Sequence, residues 1–112
     1  MKRGEIWWAS LPPAIGSGPG YRRPVLIVQA NSFNKSKIST VLVATITSNI
    51  SLANAPGNVR ISKTDSGLSK PSVLNISQVI TVDRSILTKR VKMLPGRVLA
   101  RVDEGLKLVL GL

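Results

Sequence analysis

Two adjacent arginines mark the point where a glycine-rich segment meets an apolar one. Residues 11–22 hold three of the seven prolines and three of the nine glycines, which predicts a loop. Arg22 and Arg23 end this segment, and the β-branched run at residues 24–29 predicts a strand buried on both faces. A closing loop beside a guanidinium held by a strand suits phosphate recognition, since arginine offers paired donors. An ordinary surface loop with an arginine at its base is the alternative.

Hydroxyl and amide groups follow a second apolar run, at residues 39–47. Thr45, Thr47, Ser48 and Asn49 stand at its end, and the period of two places both threonines on one face. Such groups can donate hydrogen bonds to a developing oxyanion. They can equally satisfy the backbone where a strand stops, which leaves a structural role open.

The side chains that this sequence lacks limit its chemistry. There is no histidine and no cysteine, which excludes imidazole acid–base catalysis, Cys–His nucleophiles and thiolate zinc sites. Five scattered carboxylates argue against a two-metal centre, which gathers several acidic ligands. These carboxylates are Glu5, Asp65, Asp83, Asp103 and Glu104. We therefore predict no metal and no cofactor, and any cleavage of nucleic acid should proceed without metal.

Charge is the strongest compositional signal. Sixteen Lys and Arg against five Asp and Glu leave a net charge of +11, with a pI near 11.3. Such a field concentrates polyanions and is typical of nucleic-acid-binding proteins. A merely solvated surface is the alternative, and membrane-surface binding is a weaker one because no long basic amphipathic helix accompanies the charge.

No apolar run approaches the length of a membrane span, and no apolar stretch follows the basic N-terminus, so we expect a cytoplasmic protein with one domain over residues 1–112.

The pattern of apolar residues predicts a mainly β protein with one closing helix. Val98, Val102, Leu106 and Val109 form an amphipathic stripe over residues 95–109, with Pro95 before it and Gly111 after it. A connection or a short helical turn is predicted at residues 31–37, and a helical turn at residues 85–88. Strands are predicted at residues 4–10, 24–29, 39–47, 59–62 and 72–82, the last as one long strand or two bent ones. Five or six short strands with one helix favour a small barrel over a doubly wound sheet.

Several short motifs stand in an order that resembles the MazF/PemK/Kid family of toxins. In the first half they are Arg3-Gly4-Glu5-Ile6-Trp7, Gly16-Ser17, Gly20, Arg23-Pro24-Val25-Leu26-Ile27-Val28-Gln29 and Thr45-Ile46-Thr47-Ser48. In the second half they are Ser72-Val73-Leu74, Gln78-Val79, Thr81-Val82-Asp83 and Val102-Asp103-Glu104-Gly105-Leu106. Each motif alone is weak, but their order and spacing cover nearly the whole chain.

The resemblance implies an SH3-like barrel of five to seven strands with a C-terminal helix, usually a homodimer. It implies the toxin of a type II toxin–antitoxin pair, held by a cognate antitoxin that we expect to be acidic. The implied activity is sequence-specific cleavage of single-stranded mRNA by attack of the 2′-hydroxyl, leaving a 2′,3′-cyclic phosphate and a 5′-hydroxyl. Arg23 and Thr47 are then the catalytic residues. The expected RNA-binding residues are Ser17, Gly18, Arg22, Ser48, Asn49 and Gln78.

Some positions depart from the family pattern or allow two interpretations. Gly18 stands where the family has a loop carboxylate, and Pro19 where it has glutamine. Gln78 can read a base edge or simply be satisfied within a sheet. Trp7 and Trp8 point to opposite faces of one strand, so one is expected in the core and the other at its rim. At the level of function, a non-catalytic SH3-like nucleic-acid-binding module and a gyrase-poisoning toxin of the same fold remain alternatives.

Overall fold

A computed structural model describes residues 1–11 and 21–112 of the chain, so the predicted contributions of Ser17 and Gly18 lie outside the described residues. Two 3₁₀ helices span Ile50–Asn54 and Arg84–Ile86. No helix in the described part of the chain is long and apolar enough to cross a bilayer. The strands and α-helices, in chain order, are β1 (Glu5–Leu11), β2 (Tyr21–Ile27), α1 (Asn31–Asn34), β3 (Thr40–Thr47), β4 (Val59–Ile61), α2 (Lys63–Ser66), β5 (Ser72–Asp83), β6 (Leu87–Met93) and α3 (Gly96–Leu110).

The six strands form one antiparallel sheet in the order β4-β5-β3-β2-β1-β6. Irregularities in the β1–β6 and β3–β5 pairings bend the strands, and the sheet curls into a half-barrel closed at one side by α3. The predicted mainly β fold with a C-terminal helix is confirmed. The segment predicted at residues 72–82 forms one long strand, β5. The amphipathic helix predicted at residues 95–109 corresponds to α3.

Strand β6 was not predicted, and the helical turn expected at residues 85–88 is wrong in its second half. Leu87 and Thr88 begin β6, which pairs with β1 at the edge of the sheet. The reason is that β6 carries three cationic side chains and buries none of its residues fully. Edge strands are commonly protected by such charges, and they lack the apolar alternation that makes inner strands recognisable.

Each face of the sheet is covered by its own apolar cluster. One cluster joins Ile6, Leu26 and Ile46 to Val98 and Val102 of α3. The other lies on the opposite face and includes the remaining apolar residues of β2, Val25 and Ile27, with Val41 and Val43 of β3. Strand β2 is therefore buried on both faces, as predicted. Trp8 packs against the first cluster and Trp7 against the second, and both are half-buried.

Glu5, at the start of β1, is a buried carboxylate held by three donors. The backbone N–H of Lys2 donates to its Oε1 over 2.7 Å, the Trp7 indole donates to the same oxygen over 3.2 Å, and the Arg90 guanidinium pairs with Oε2. Burial by itself raises the pKa of Glu5, but the hydrogen bonds from Arg90, Lys2 and Trp7 outweigh it and hold this pKa below its ordinary value. This network joins β1, β6 and the N-terminal turn.

Replacing Glu5→Gln should lower the free energy of unfolding at neutral pH by about 1 to 3 kcal/mol, the range for hydrogen bonds to charged groups. A carboxylate with a lowered folded-state pKa stabilises the protein above its unfolded-state pKa, and this contribution disappears as the pH falls through the folded value. Urea unfolding of both proteins between about pH 7 and about pH 3 measures the difference. A difference that stays constant over this range would contradict the role of the Glu5 charge.

Two glycines allow α3 to approach the turn before β4. Gly57 adopts a φ of +85° in the turn at residues 55–58, where Asn58 N–H donates to the Ala55 carbonyl over 3.1 Å. A Cβ at Gly105 of α3 would lie 2.3 Å from the carbonyl oxygen of Gly57, well inside van der Waals contact. The backbone contact therefore requires glycine at position 105.

Gly105→Ala should destabilise the protein by about 1 to 3 kcal/mol, because backbone must move to admit the methyl group. Helix propensity alone predicts the opposite sign, since alanine is favoured over glycine by about 1 kcal/mol inside a helix. Gly96→Ala in the first turn of α3 is the matched control, because a Cβ there has no neighbour within 4 Å. Thermal melts of the two variants test the contact, and equal melting temperatures would disprove it.

Candidate functional site

A pocket of about 360 Å³ lies where the ends of β2 and β3 meet β1 and the segment before β5. It brings together four of the residues that the sequence singled out, from two different strand ends. The lining residues are Trp8, Arg22, Arg23, Pro24, Ile46, Thr47, Ser48, Leu68, Ser69, Lys70 and Ser72.

The pairing of β2 with β3 aligns Arg23 with Thr47. Val25 pairs with Thr45 in the last pair of this antiparallel ladder, and the same register continued by two residues places Arg23 opposite Thr47. Residues opposite each other in such a pair have Cβ atoms about 5 Å apart and point to the same face. The guanidinium carbon of Arg23 also lies 5.0 Å from the centre of the Tyr21 ring, two residues earlier on that face. The two predicted catalytic side chains line the same pocket, at neighbouring strand ends.

Thr47 keeps a hydroxyl proton for another partner. Its Oγ1 accepts a hydrogen bond from the backbone N–H of Asn49 over 3.1 Å, which makes it the acceptor in its recorded contact. A hydroxyl group can accept and donate at the same time. The side chain is half-buried, and β-branching restricts its χ1 torsion. Thr47 can thus present an oriented O–H donor to a group bound in the pocket.

Arg22 belongs to the opposite face of β2 from Arg23. Its guanidinium carbon lies 4.5 Å from the centre of the Trp8 ring, within the range of a cation–π contact. Trp8 follows Ile6 on the face of β1 that α3 covers. Its indole packs against the apolar cluster on that face and also lines the pocket. The indole therefore holds one guanidinium at the pocket, and Tyr21 supports the other.

Four lining residues come from the segment at residues 68–72, which the sequence did not identify as part of the site. The Ser72 hydroxyl donates to the Lys70 carbonyl over 3.0 Å, and the Leu68 N–H donates to the Ser66 hydroxyl over 3.0 Å, so local hydrogen bonds shape this segment. Lys70 is exposed and its ammonium has no hydrogen-bond partner among residues 1–11 and 21–112. Nothing in the local sequence pattern connected residues 68–71 to β2 and β3.

Two predicted RNA-binding residues lie outside the pocket lining. The Asn49 Oδ1 accepts from the Ser51 N–H over 3.2 Å and from the Ser51 hydroxyl over 2.6 Å, and so caps the helix at Ile50–Asn54. Gln78 is exposed within the β5 bulge, where residues 76–78 fall between the partners of Ala44 and Thr45. Ser48 does line the pocket beside Thr47.

Positive charge dominates the pocket. Arg22, Arg23 and Lys70 are among the lining residues, and no carboxylate is found among the lining residues that the structure describes. In the described part of the chain, no three or more His, Cys, Asp or Glu side chains group together as metal ligands do. The arrangement can bind an anionic group through guanidinium, ammonium and hydroxyl donors.

Comparison with known proteins gives consistent results over the whole chain. "Endoribonuclease MazF6" of Mycobacterium tuberculosis is 44% identical over 112 residues, which covers 100% of this chain and 98% of the relative. "Endoribonuclease EndoA" of Bacillus subtilis is 36% identical, covering 100% of this chain and 96% of the relative.

Solved structures show the same fold. The MazE–MazF structure from Deinococcus radiodurans matches with a TM-score of 0.81 and 25% identity, covering 100% of this chain and 96% of that one. A mycobacterial endoribonuclease in complex with its cognate antitoxin matches with a TM-score of 0.79 and 21% identity, again covering 100% and 96%. A family model described as PemK-like, MazF-like toxin of type II toxin–antitoxin system matches residues 2–110. The chain therefore belongs to the PemK-like, MazF-like family of type II toxins, as its motifs predicted.

Proposed function

We propose that this protein is a toxin endoribonuclease that cleaves single-stranded mRNA at specific sequences by metal-independent transesterification. The observation that carries the proposal is the presence of Arg23 and Thr47 in one cationic pocket whose lining, over residues 1–11 and 21–112, holds no carboxylate. The relatives named endoribonuclease support RNA cleavage over a non-catalytic nucleic-acid-binding module or a gyrase poison. We further propose a cytoplasmic location and a single domain over residues 1–112.

In the proposed reaction, the ribose 2′-oxygen forms a bond to phosphorus while the bond from phosphorus to the 5′-oxygen breaks. The 2′-hydroxyl gives up a proton, the departing 5′-oxygen gains one, and negative charge accumulates on the non-bridging oxygens. The products are a 2′,3′-cyclic phosphate and a 5′-hydroxyl. Because the chain has no histidine or cysteine, stabilisation of that charge must supply most of the rate enhancement.

Arg23 is assigned to the non-bridging phosphate oxygens. Its planar fork can donate to two of them at once, which the ammonium of lysine cannot do in the same geometry. Tyr21 beneath the guanidinium helps to orient this fork. Thr47 adds an O–H donor from the neighbouring strand, since the Asn49 N–H already occupies its acceptor side. Both groups are held by paired strands and need little reorganisation as charge develops.

Other predicted residues are assigned to binding the RNA. Arg22, fixed over Trp8, and Ser48 border the same pocket and are proposed to contact phosphate. Lys70 also lines this pocket and is assigned the same role. Asn49 and Gln78 stay predicted RNA contacts beyond the pocket lining. Ser17 and Gly18, which are outside the described residues, also stay predicted RNA contacts.

An acidic antitoxin is the proposed partner, and the functional unit is proposed to be a homodimer. Two structural relatives are described as complexes with an antitoxin. The net charge of +11 favours an acidic partner, because complementary charge accelerates association and rejects other partners. Closed two-fold dimers are the commonest oligomers, and they allow a small chain to extend its RNA groove across an interface.

The central test is single-turnover cleavage of labelled single-stranded RNA in excess EDTA, with product ends identified by mass. The wild type should stay active and leave cyclic phosphate and 5′-hydroxyl ends. Arg23→Ala should lose roughly 100- to 1000-fold in rate, the usual effect of removing a preorganised donor. Arg23→Lys should also fail, whereas Thr47→Ser should keep much of the activity because it retains the hydroxyl.

Lys37→Ala is the control for this test, since it removes one exposed positive charge outside the pocket. Loss of all activity in EDTA would disprove the metal-independent reaction. Full activity of Arg23→Ala would disprove the role of the Arg23–Thr47 pair, and a wild type that cleaves no RNA would disprove the proposed function.

Lys70→Gln should raise KM by roughly threefold to tenfold and leave kcat nearly constant, because an exposed ammonium contributes chiefly to phosphate attraction. The effect should shrink as salt increases, since counterions then compete for the RNA. Steady-state kinetics at two salt concentrations measures both. A fall in kcat at constant KM would instead place Lys70 at the transition state.

A further inference from the structure

The segment at residues 68–72 borders a second depression, of about 590 Å³. Pro71 lines this depression, whereas its neighbours Lys70 and Ser72 line the candidate pocket. The remaining lining residues are Arg60, Ser62, Lys63, Thr64 and Arg101. The two cavities therefore share one wall.

Three cations from three separate elements converge on this depression. Arg60 lies on β4, Lys63 on α2 and Arg101 on α3. All three are exposed, and within residues 1–11 and 21–112 none of their side chains makes a hydrogen bond or an ion pair. They form a concentrated positive surface that the folded chain does not neutralise.

The carboxylates nearest in sequence, Asp65 and Asp103, do not cancel this charge, since Asp103 pairs with Arg3. The Asp65 Oδ1 accepts from Arg97 over 2.6 Å, and this contact holds the pKa of Asp65 below its ordinary value. Asp65 is therefore ionised but already paired with a fourth cation. The three cations of the depression stay available to an external anion.

The sheet connects the two cavities directly. Ile61 of β4 pairs with Ser72 of β5, and Arg60 pairs with Val73. Neighbouring strands lie about 4.8 Å apart, so Arg60 stands roughly one strand away from the edge of the candidate pocket. A flexible polyanion lying in the pocket can continue across residues 70–72 into the depression.

We infer that the depression of Arg60, Lys63 and Arg101 binds the phosphodiester backbone of the RNA next to the cleavage pocket. This inference rests on the proposed function, because the strand must be held at Arg23 and Thr47 to continue from there. The depression supplies affinity along the strand and reads no base, since cations that contact phosphate carry no sequence information directly.

The lining favours RNA over an acidic protein segment. Three cations and two hydroxyl side chains line the depression, and Pro71 is the one apolar side chain of its lining. A peptide that orders on binding needs apolar anchors in addition to charge. Such groups, Val59, Ala100 and Leu108, line a different depression beside α3, which adjoins this one at Arg101. Regularly spaced phosphates need no such anchors.

The test uses a cleavage site first mapped with the wild-type protein on a long mixed-sequence transcript. Two synthetic RNAs then carry this site, one of about 5 nucleotides and one of about 16, which span the usual site sizes for single strands. In the wild type, the longer RNA should have the lower KM. In the triple variant Arg60→Gln, Lys63→Gln, Arg101→Gln this advantage should be lost, with KM for the longer RNA rising on the order of tenfold.

A second readout is the salt dependence of binding to the longer RNA with 2′-O-methyl riboses, which cannot be cleaved. The slope of log affinity against log salt should weaken by about 0.7 for each phosphate contact removed. The control variant Lys2→Gln, Lys35→Gln, Lys37→Gln removes the same charge from exposed positions outside both cavities and should keep the wild-type advantage and slope. Arg101→Gln alone, on the exposed side of α3, should show about a third of the slope change if the triple variant unfolds.

The outcomes separate the inference from the proposed function. A wild type that cleaves no RNA contradicts the proposed function, and the inference fails with it. If the wild type cleaves RNA but the triple variant and the control variant have the same KM for the longer RNA and the same salt slope, the inference is overturned and the proposed function stands. Unchanged RNA binding with weakened binding of a polyglutamate peptide would assign the depression to an acidic protein segment, which also overturns it.

Discussion

The register between β2 and β3 is the constraint on which the candidate site depends. It is fixed well inside the sheet, where Val25, Leu26 and Ile27 bury their side chains on both faces. A shift by one residue would send every one of these side chains to the other face, so burial specifies the register strongly. Arg23 and Thr47 inherit their alignment from it, two residues beyond the last recorded pair. The apolar strand interiors thus position the polar strand ends.

Each of the five carboxylates of this protein has a local partner. Glu5, Asp65, Asp103 and Glu104 each pair with a cation, and Asp83 accepts from the Ser85 N–H at a helix start. Arg3, for example, ties the N-terminus to α3 through Asp103 over 2.8 Å. Because so few acidic groups exist and each has a local partner, the remaining cations are left to attract a ligand. The excess positive charge therefore lies on the cations that have no carboxylate partner within the described residues.

That distribution also suggests how a site without histidine can act on a phosphodiester. Arg22 and Arg23 are adjacent in sequence but belong to opposite faces of β2, each supported by an aromatic ring. Lys70 approaches from the segment before β5. Cationic and hydroxyl donors therefore surround the pocket on several sides, and a phosphate bound there would meet donors already in place. Preorganised donors of this kind stabilise developing charge most effectively.

The sequence by itself determined the family, the inner strands and α3, because these depend on local periodicity and ordered motifs, and the same motifs predicted Arg23 and Thr47 as a catalytic pair. It did not reveal β6, whose exposed basic residues lack alternation. Nor did it connect Lys70 to the pocket, or Arg60 to Lys63 and Arg101. Those groupings exist only after β5 pairs with β3 and β4 and α3 packs across the sheet. Contacts between distant residues follow from strand register and helix docking, which no local pattern encodes.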